Sequence, residues 1–357
     1  MKILRFQQNF SVFFHYFREV MKKKETLSTI SKRTGFSVST ISRVLSGKAA
    51  QQRISQSTID AIMREARKCD YSPNLLAKGL RTSSTGIVGL VIPTLENPFF
   101  ANIAHSISEI LRKDNIHLMI GSSMERPEAE VDVIRSFISK GVDGIIVAPS
   151  SDSPDYFEEL NRTVPVVLID RYFNDTRLDF ISCDNYNGGY MAAEHLIKKG
   201  YRKILVVQGA GSSMPNKERV RGFEDAVKSF RHLDISYRIS GHDFSTENGY
   251  AAVTSAMGRT SEDRPTAKFC LSVTIALGAI QALHEVGMKI NDNVGVITFD
   301  DNVFLDYLNP PMTRIAQPIE RICQLSCAIL RQRMEGNAGE EPTQILIKPS
   351  LVRGGSC

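Results

Sequence analysis

The feature that most constrains the fold is an alternation of short apolar runs with amphipathic segments, sustained from residue 86 almost to the last residue. The runs are nearly continuously apolar, as strands of a parallel sheet are when both faces are covered. Segments with helical spacing of apolar residues separate them, for example 98–114, 128–140, 187–199 and 217–230, so the pattern predicts βαβ units. The predicted strands are GIVGLVIP (86–93), HLMIGS (117–122), GIIVAP (144–149), VPVVLID (164–170), KILVVQG (203–209), AKFCLSV (267–273) and VGVITFD (294–300).

The length of this α/β region predicts two lobes. About 270 residues exceed what one doubly wound parallel sheet needs. Ligands of such folds bind outside the carboxyl ends of the strands. We therefore expect a ligand site in a cleft between the lobes.

Charge is divided unevenly along the chain. Residues 21–85 carry 13 Lys and Arg against 4 Asp and Glu, a net charge of +9, whereas residues 86–357 have a net charge of −6. A basic N-terminal segment on an acidic body is typical of a phosphate-binding module joined to a second domain. A solvated basic face without a partner would show the same charge, so the pattern within the segment must decide.

The basic segment predicts a helix-turn-helix unit. Thr26 can cap a helix that ends near Arg33, Gly35 supplies the turn, and Ser37 can cap a second helix over 38–45. A third helix follows Ser55 and ends near Tyr71. Apolar residues of the second helix turn inward and leave the other side to solvent or to DNA, namely Val38, Ser39, Thr40, Ser42 and Arg43.

The segment after the third helix is too short to be helical alone. Pro73 makes a break, and residues 74–80 span about two helical turns that Gly79 weakens further. Two interpretations remain open: a flexible linker, or a segment that folds only against a partner.

Several classes of protein are disfavoured. No apolar run reaches the roughly 20 residues that span a membrane. The six cysteines lack CxxC spacing, which points to a reducing cytoplasm and to no structural metal. The Gly-rich run 208–215 lacks the spacing of a dinucleotide-binding loop, and no catalytic motif appears, so we expect no cofactor and no enzyme activity. Residues 1–20 are interpreted as an unstructured extension upstream of a start at Met21.

Three motifs of the basic segment resemble the DNA-binding head of the LacI/GalR family of bacterial transcriptional regulators. They are SVSTISRVLSG (37–47), SQST (55–58) and YSPNLLAKGL (71–80). The resemblance implies that Val38 and Ser39 read bases, that Arg43 enters the major groove, and that Leu80 wedges into the minor groove. The DNA-binding residues it implies are Val38, Ser39, Thr40, Ser42, Arg43, Asn74, Ala77, Lys78 and Leu80.

The body resembles the type I periplasmic-binding-protein fold that serves as the sensor of the same family. PTLENPFFANI (93–103), PVVLIDR (165–171), RVRGF (219–223) and GVITFDD (295–301) are among the matching runs. The resemblance implies three crossings between lobes, with lobe one at about 86–183 and 312–340 and lobe two at about 184–311 and 341–353. The effector-binding residues it implies are Phe99, Phe100, Asp170, Arg219, Phe244 and Asp300.

One departure from the family pattern affects the choice of ligand. Ser272 and Val273 stand where the family often has an Asn-Asp pair, so an ordinary monosaccharide is less favoured. An oligosaccharide, a phosphorylated sugar, a non-sugar effector or control by a protein partner, as in catabolite-type global regulators, all stay open. A sugar-binding transport protein is a further alternative that the basic head opposes.

The predicted protein is an α/β chain with a small all-α helix-turn-helix head and a two-lobed domain of doubly wound parallel sheets. Its domains are a head at 24–72, a hinge helix and linker at 73–85, and a ligand-binding and dimerisation domain at 86–353. We expect a cytoplasmic repressor that binds pseudo-palindromic double-stranded operator DNA and a sugar-like effector, without a membrane partner. We expect a homodimer, because LVRGGSC (351–357) adds no heptad repeat for a tetramer.

Overall fold

The computed structural model describes residues 26–45, 49, 54–69, 71, 84–258, 261–337 and 339–357. The chain divides into two units between Ser83 and Ser84. Within the described ranges, no helix has both the length and the apolar character that crossing a membrane would require.

The described residues of the head form three short helices around a small core. Side chains cap all three of them, since the hydroxyls of Thr26, Ser37 and Ser55 accept from the N–H groups of Thr29, Thr40 and Thr58. Gly35 ends the first helix in the left-handed conformation (φ 75°), which glycine adopts without steric cost. The predicted helix-turn-helix is therefore confirmed. The helices are α1 (Leu27–Thr34), α2 (Val38–Leu45) and α3 (Gln56–Lys68), and their fully buried contacts come from Ile30, Ile41 and Ile62.

The body contains two six-stranded sheets, and all seven predicted strands are present in them. Their central strands are fully buried because helices cover both faces, which explains the continuous apolar runs. The strands are β1 (Ile87–Ile92), β2 (His117–Ser122), β3 (Gly144–Val147), β4 (Val166–Ile169), β5 (Asp179–Cys183), β6 (Lys203–Val207), β7 (Ser236–Ser240), β8 (Ala267–Cys270), β9 (Gly295–Phe299), β10 (Thr313–Ala316), β11 (Gln344–Ile347) and β12 (Ser350–Val352).

Helices connect the parallel strands, and the residues at the start of several of them explain why the helix begins there. Pro98 occupies the first turn of its helix, and the Asn97 side chain accepts from the Phe99 N–H. The Ser245 hydroxyl likewise accepts from the Asn248 N–H. The helices of the body are α4 (Pro98–Arg112), α5 (Pro127–Ser139), α6 (Asp155–Leu160), α7 (Asn185–Lys198), α8 (Met214–Ser229), α9 (Thr246–Met257), α10 (Val273–Glu285) and α11 (Ile319–Met334).

The two sheets repeat one topology. The first has the order β11-β5-β4-β3-β1-β2, and the second has the order β12-β10-β9-β8-β6-β7. Position by position, β4 corresponds to β9 and β3 to β8. The sheets differ at one edge, where β11 runs parallel to β5 but β12 runs antiparallel to β10.

The chain crosses between the lobes three times, but two of the predicted boundaries were wrong. Strand β10 pairs with β9 of the second sheet, so the second crossing lies near residue 317 rather than 312. Strand β11 pairs with β5 of the first sheet, so the last crossing lies near 348 rather than 341. These strands are only four residues long, and their sheet is decided by pairing partners that are remote in sequence.

Candidate effector cleft and DNA-binding face

Helix α2 of the head presents a polar face. Ile41 and Val44 are buried, whereas Val38, Ser39 and Arg43 are exposed. Thr40 and Ser42 are half-buried on the same outward side. The Ser37 hydroxyl accepts from the Thr40 N–H at 3.1 Å and so caps the helix. The predicted division between an inward apolar face and an outward polar face is observed. The other predicted DNA-binding residues lie outside the described residues: Asn74, Ala77, Lys78 and Leu80.

A cavity of about 1240 Å³ lies between the two lobes, at the carboxyl ends of strands from both sheets. Its volume exceeds the roughly 300–1,000 Å³ of common small-molecule pockets. The structure brings all six predicted effector residues into its lining: Phe99, Phe100, Asp170, Arg219, Phe244 and Asp300.

Two aspartates stand at topologically equivalent places in the cleft. Asp170 follows β4 and Asp300 follows β9, and both adopt left-handed backbone conformations, with φ of 59° and 74°. This region costs a non-glycine residue of order 1 kcal/mol, and such strain is concentrated at functional sites. Both side chains are buried, with 5% and 3% exposure. The fold therefore holds one carboxylate of each lobe against the cleft in a strained conformation.

The two carboxylates differ in their partners. Asp300 Oδ1 accepts from Gln317 Nε2 at 2.7 Å, and the backbone of Val273, at the start of α10, donates a further hydrogen bond to this carboxylate. Asp170 Oδ1 has no hydrogen-bond partner, and its other oxygen lies 3.9 Å from Arg171 Nε. Lobe two thus satisfies its aspartate, while lobe one leaves an acceptor unpaired.

Burial raises the pKa of both aspartates. The pKa of Asp170 rises from 3.8 to about 6, chiefly because the carboxylate loses its hydration. The charges of Arg171 and Arg219 oppose this rise, and those of Asp300 and Glu125 add to it. Burial raises the pKa of Asp300 as well, against the opposing effect of Arg219 and of its two hydrogen bonds. Negative charge is therefore costly at this point of the cleft.

Arg219 is buried on α8 and is held by lobe two. Its Nε donates to Asn185 Oδ1 at 2.8 Å, its Nη1 donates to the Leu271 carbonyl at 2.6 Å, and its guanidinium lies 3.7 Å from the centre of the Phe299 ring. The resemblance predicted that Arg219 and Asp300 form a charged pair toward a ligand. They line the same cavity, and Arg219 acts on Asp300 through its charge, but the structure shows no ion pair between these two described side chains.

Aromatic side chains line both lobes. Phe99 and Phe100 at the start of α4 pack edge to face, with ring centroids 5.0 Å apart, and are almost fully buried. Phe244 stands opposite on lobe two, half-buried. Tyr172 and Phe173, which the sequence did not single out, also line the cavity. The half-buried rings of Tyr172, Phe173 and Phe244 leave apolar surface that suits a ring-shaped ligand.

Three polar residues of the cleft were missed from the sequence. Arg171 binds both oxygens of Glu125 at 2.7 Å and the Pro149 carbonyl at 3.1 Å. Gln317 lies at the second crossing between the lobes, directly after a strand that the sequence did not predict. Ser213 is buried with its hydroxyl unpaired. Only Arg171 left a signal, because it belongs to the matching run PVVLIDR.

A helix-turn-helix head followed by a two-lobed domain with a polar cleft defines a DNA-binding regulator that senses a ligand. The model of bacterial regulatory proteins of the lacI family matches residues 26–74, and the model of periplasmic binding proteins and sugar-binding domains of the LacI family matches residues 85–334. The chain therefore belongs to the LacI family of DNA-binding transcriptional repressors. This confirms the resemblance that the motifs indicated.

Individual relatives cover almost the whole chain. It is 31% identical over 332 residues to the HTH-type transcriptional repressor PurR of Actinobacillus pleuropneumoniae serotype 3, covering 92% of this chain and 96% of the relative. It is 28% identical to the ribose operon repressor of Haemophilus influenzae over 92% of this chain and 97% of that one. Among solved structures, the Lac repressor dimer bound to operator and the anti-inducer ONPF has a TM-score of 0.83 at 23% identity, with 94% and 99% coverage.

Proposed function

We propose that this chain acts as a homodimer that binds a pseudo-palindromic operator through α2 and responds to a sugar-like effector in the cleft between the lobes. The observation that carries the proposal is the pair of buried aspartates, held in a strained conformation on opposing lobes of one cavity. A ligand that contacts both would favour one degree of lobe closure over another. We place the protein in the cytoplasm, where operator DNA is, and propose no enzyme activity.

The outward face of α2 is the proposed base-reading surface. Arg43 is exposed there, and a guanidinium can pair with guanine in the major groove through two hydrogen bonds. Val38 and Ser39 stand at the start of the same helix, where a recognition helix contacts bases. Thr40 and Ser42 are proposed to support these contacts.

The test selects operator sequences from a random duplex library with the wild-type chain and with two variants. Arg43→Ala should relax the preference at one base pair of each half-site and weaken specific binding by about 1–3 kcal/mol. Arg64→Ala removes an exposed arginine from α3 instead, and should weaken binding to all sequences alike and flatten the salt dependence. An unchanged sequence preference in Arg43→Ala would show that α2 does not read the operator.

A second arm tests the hinge and the assembly. Leu80, which lies outside the described residues, is proposed to enter the minor groove, so Leu80→Ala should lose DNA bending together with affinity. Light scattering should give the mass of a dimer at micromolar concentration. A stable tetramer or a monomer that binds the full operator would contradict this assembly.

A further inference from the structure

The lining of the cleft is strongly acidic. Among the described residues that line it, nine carry a carboxylate and three carry a cationic side chain. A cavity with walls of one sign concentrates ligands of the other sign, because the low-dielectric protein focuses the field into the opening. A phosphorylated or carboxylated ligand would add negative charge to this site.

The three cationic side chains are too few to neutralise the nine carboxylates. Arg171 binds both oxygens of Glu125, and its Nε, which has no hydrogen-bond partner, lies 3.9 Å from Asp170 Oδ2. Arg219 is occupied by Asn185 and the Leu271 carbonyl. Lys217 is exposed. None of them forms a hydrogen bond with Asp170 Oδ1, which is buried and has no partner.

A second buried acceptor without a partner lines the same cleft. Gln317 Nε2 donates to Asp300 Oδ1 at 2.7 Å, and this bond sets the orientation of the amide, since the reversed orientation would bring two oxygens together. Gln317 Oε1 is therefore left as an unpaired buried acceptor. Burying acceptors without donors is costly, particularly when one of them is charged. Asp170 Oδ1 and Gln317 Oε1 thus call for a ligand group that only donates and carries positive charge, whereas the unpaired Ser213 hydroxyl can pair with a donor or an acceptor.

We propose that the effector is a hydroxylated amine, of the amino-sugar class, whose ammonium group binds Asp170 Oδ1 and Gln317 Oε1. An ammonium has three donors and no acceptor, and charge-assisted bonds to a carboxylate are about twice as strong as neutral ones. Phe244 on lobe two, which is half-buried, offers apolar surface to the ring of such a ligand. The inference rests on the proposed function, because it names the chemistry of the effector in the same cleft.

The test is calorimetry on the full-length chain without DNA. The probes are glucosamine, galactosamine and mannosamine, each compared with the corresponding hexose, N-acetyl hexosamine and hexose 6-phosphate. At least one amine should bind about ten-fold or more tightly than its neutral counterparts, and its phosphate counterpart should be weakest. Asp170→Asn should raise the dissociation constant of that amine at least about ten-fold. It should change the dissociation constant of the neutral hexose by less than about three-fold.

A matched control separates a specific contact from the general charge of the cleft. Asp175→Asn removes the same charge from an exposed residue of the lining. It should raise the dissociation constant of the amine by less than about three-fold. An equal loss in both variants would show a general field instead of an ammonium site, and the proposal would fall. It would also fall if a neutral or phosphorylated sugar bound as tightly as every amine, or if no amine bound.

The outcomes keep this inference apart from the proposed function. If a neutral or phosphorylated sugar binds the cleft as tightly as every amine and alters operator affinity, the ammonium site is refuted while the effector-responsive repressor stands. If an amine binds but leaves operator affinity unchanged, the ammonium site stands and the effector role in the proposed function is refuted.

Discussion

The two lobes repeat one topology yet treat the same position differently. In each lobe, an aspartate with left-handed backbone directly follows the fourth strand in chain order: Asp170 follows β4 in lobe one, and Asp300 follows β9 in lobe two. Lobe two surrounds its carboxylate with donors from Gln317 and from the start of α10, whereas lobe one leaves one oxygen unpaired. The comparison indicates that Asp300 in lobe two is already held in place by its donors. Asp170 in lobe one is the carboxylate whose free energy a bound ligand would lower most, because its unpaired oxygen would gain a donor.

The cores of the lobes differ as well. Lys268 of β8 occupies the place that Ile145 holds in β3, and both are fully buried. The Lys268 ammonium donates to the Pro265 carbonyl at 2.6 Å and lies 3.6 Å from Met257 Sδ. Lobe two therefore buries a cation where lobe one buries an alkyl chain.

Helix packing shows a third contrast. In lobe two, α7 and α8 approach so closely that a methyl group on Gly189 would overlap the backbone carbonyl of Arg219, and one on Gly222 would overlap that of Tyr186. Gly278 of α10 meets the Thr246 carbonyl of α9 in the same way. In lobe one, the atoms nearest to a methyl on Gly89, Gly121 or Gly144 belong to side chains, which can move.

The largest expected effect comes from this backbone contact. Gly189→Ala should lower the free energy of unfolding by about 3 kcal/mol, since two helices must separate and backbone cannot rearrange as side chains do. The control is Gly211→Ala, where a methyl group meets no atom within 4 Å, and it should change stability by less than about 0.5 kcal/mol. Urea unfolding measures both; equal stabilities would show that the helices can part at no cost.

The next effect sharpens the comparison of the aspartates. Because the pKa of Asp170 is raised to about 6, the folded protein holds this proton more tightly than the unfolded chain, and stability falls as pH rises from about 4 to 6. Asp170→Asn should therefore stabilise the protein by about 2 kcal/mol at pH 7, and the gain should vanish near pH 4.

Asp300→Asn is the counterpart in lobe two. It should stabilise less than Asp170→Asn at pH 7, because it weakens the charge-assisted bonds that Gln317 and Val273 donate. Thermal unfolding across pH 4–8 distinguishes the two. A larger gain at Asp300 would reverse the assignment of the satisfied and unsatisfied lobes.

The smallest effect concerns the buried cation. Burial lowers the pKa of Lys268 to about 8, so the folded protein favours the neutral amine, and stability falls as pH decreases from 10.5 through 8. Lys268→Met should stabilise by about 1 kcal/mol at pH 7 after loss of the bond to Pro265, and the gain should shrink toward pH 10. Ile145→Met in lobe one should cost less than about 1.5 kcal/mol at every pH. A pH-independent effect at Lys268 would contradict the buried cation.

Three of the five strands that the sequence missed lack the continuous apolar run on which the prediction depended. Strand β7 (SYRIS) lies at a sheet edge with its first three residues exposed, and β11 (QILI) is only half-buried, so neither carries a continuous apolar run. Strand β10 (TRIA) is buried but contains Arg314, whose charge is compensated by Asp301 and Asp306. Those two aspartates lie 13 and 8 positions away in the chain, so a search for apolar runs could not show that Arg314 is compensated and buried.

The sequence by itself determined the class of the protein, because helix spacing, caps and apolar runs are local properties that a single chain displays in order. The resemblance to the family also identified six residues that line one cleft. Only the tertiary structure decided how those residues differ: VVLID and VITFD read alike, yet the donors around Asp300 and the unpaired oxygen of Asp170 depend on residues remote in sequence. Hydrogen bonding and desolvation depend on distance in space, and the fold alone sets those distances.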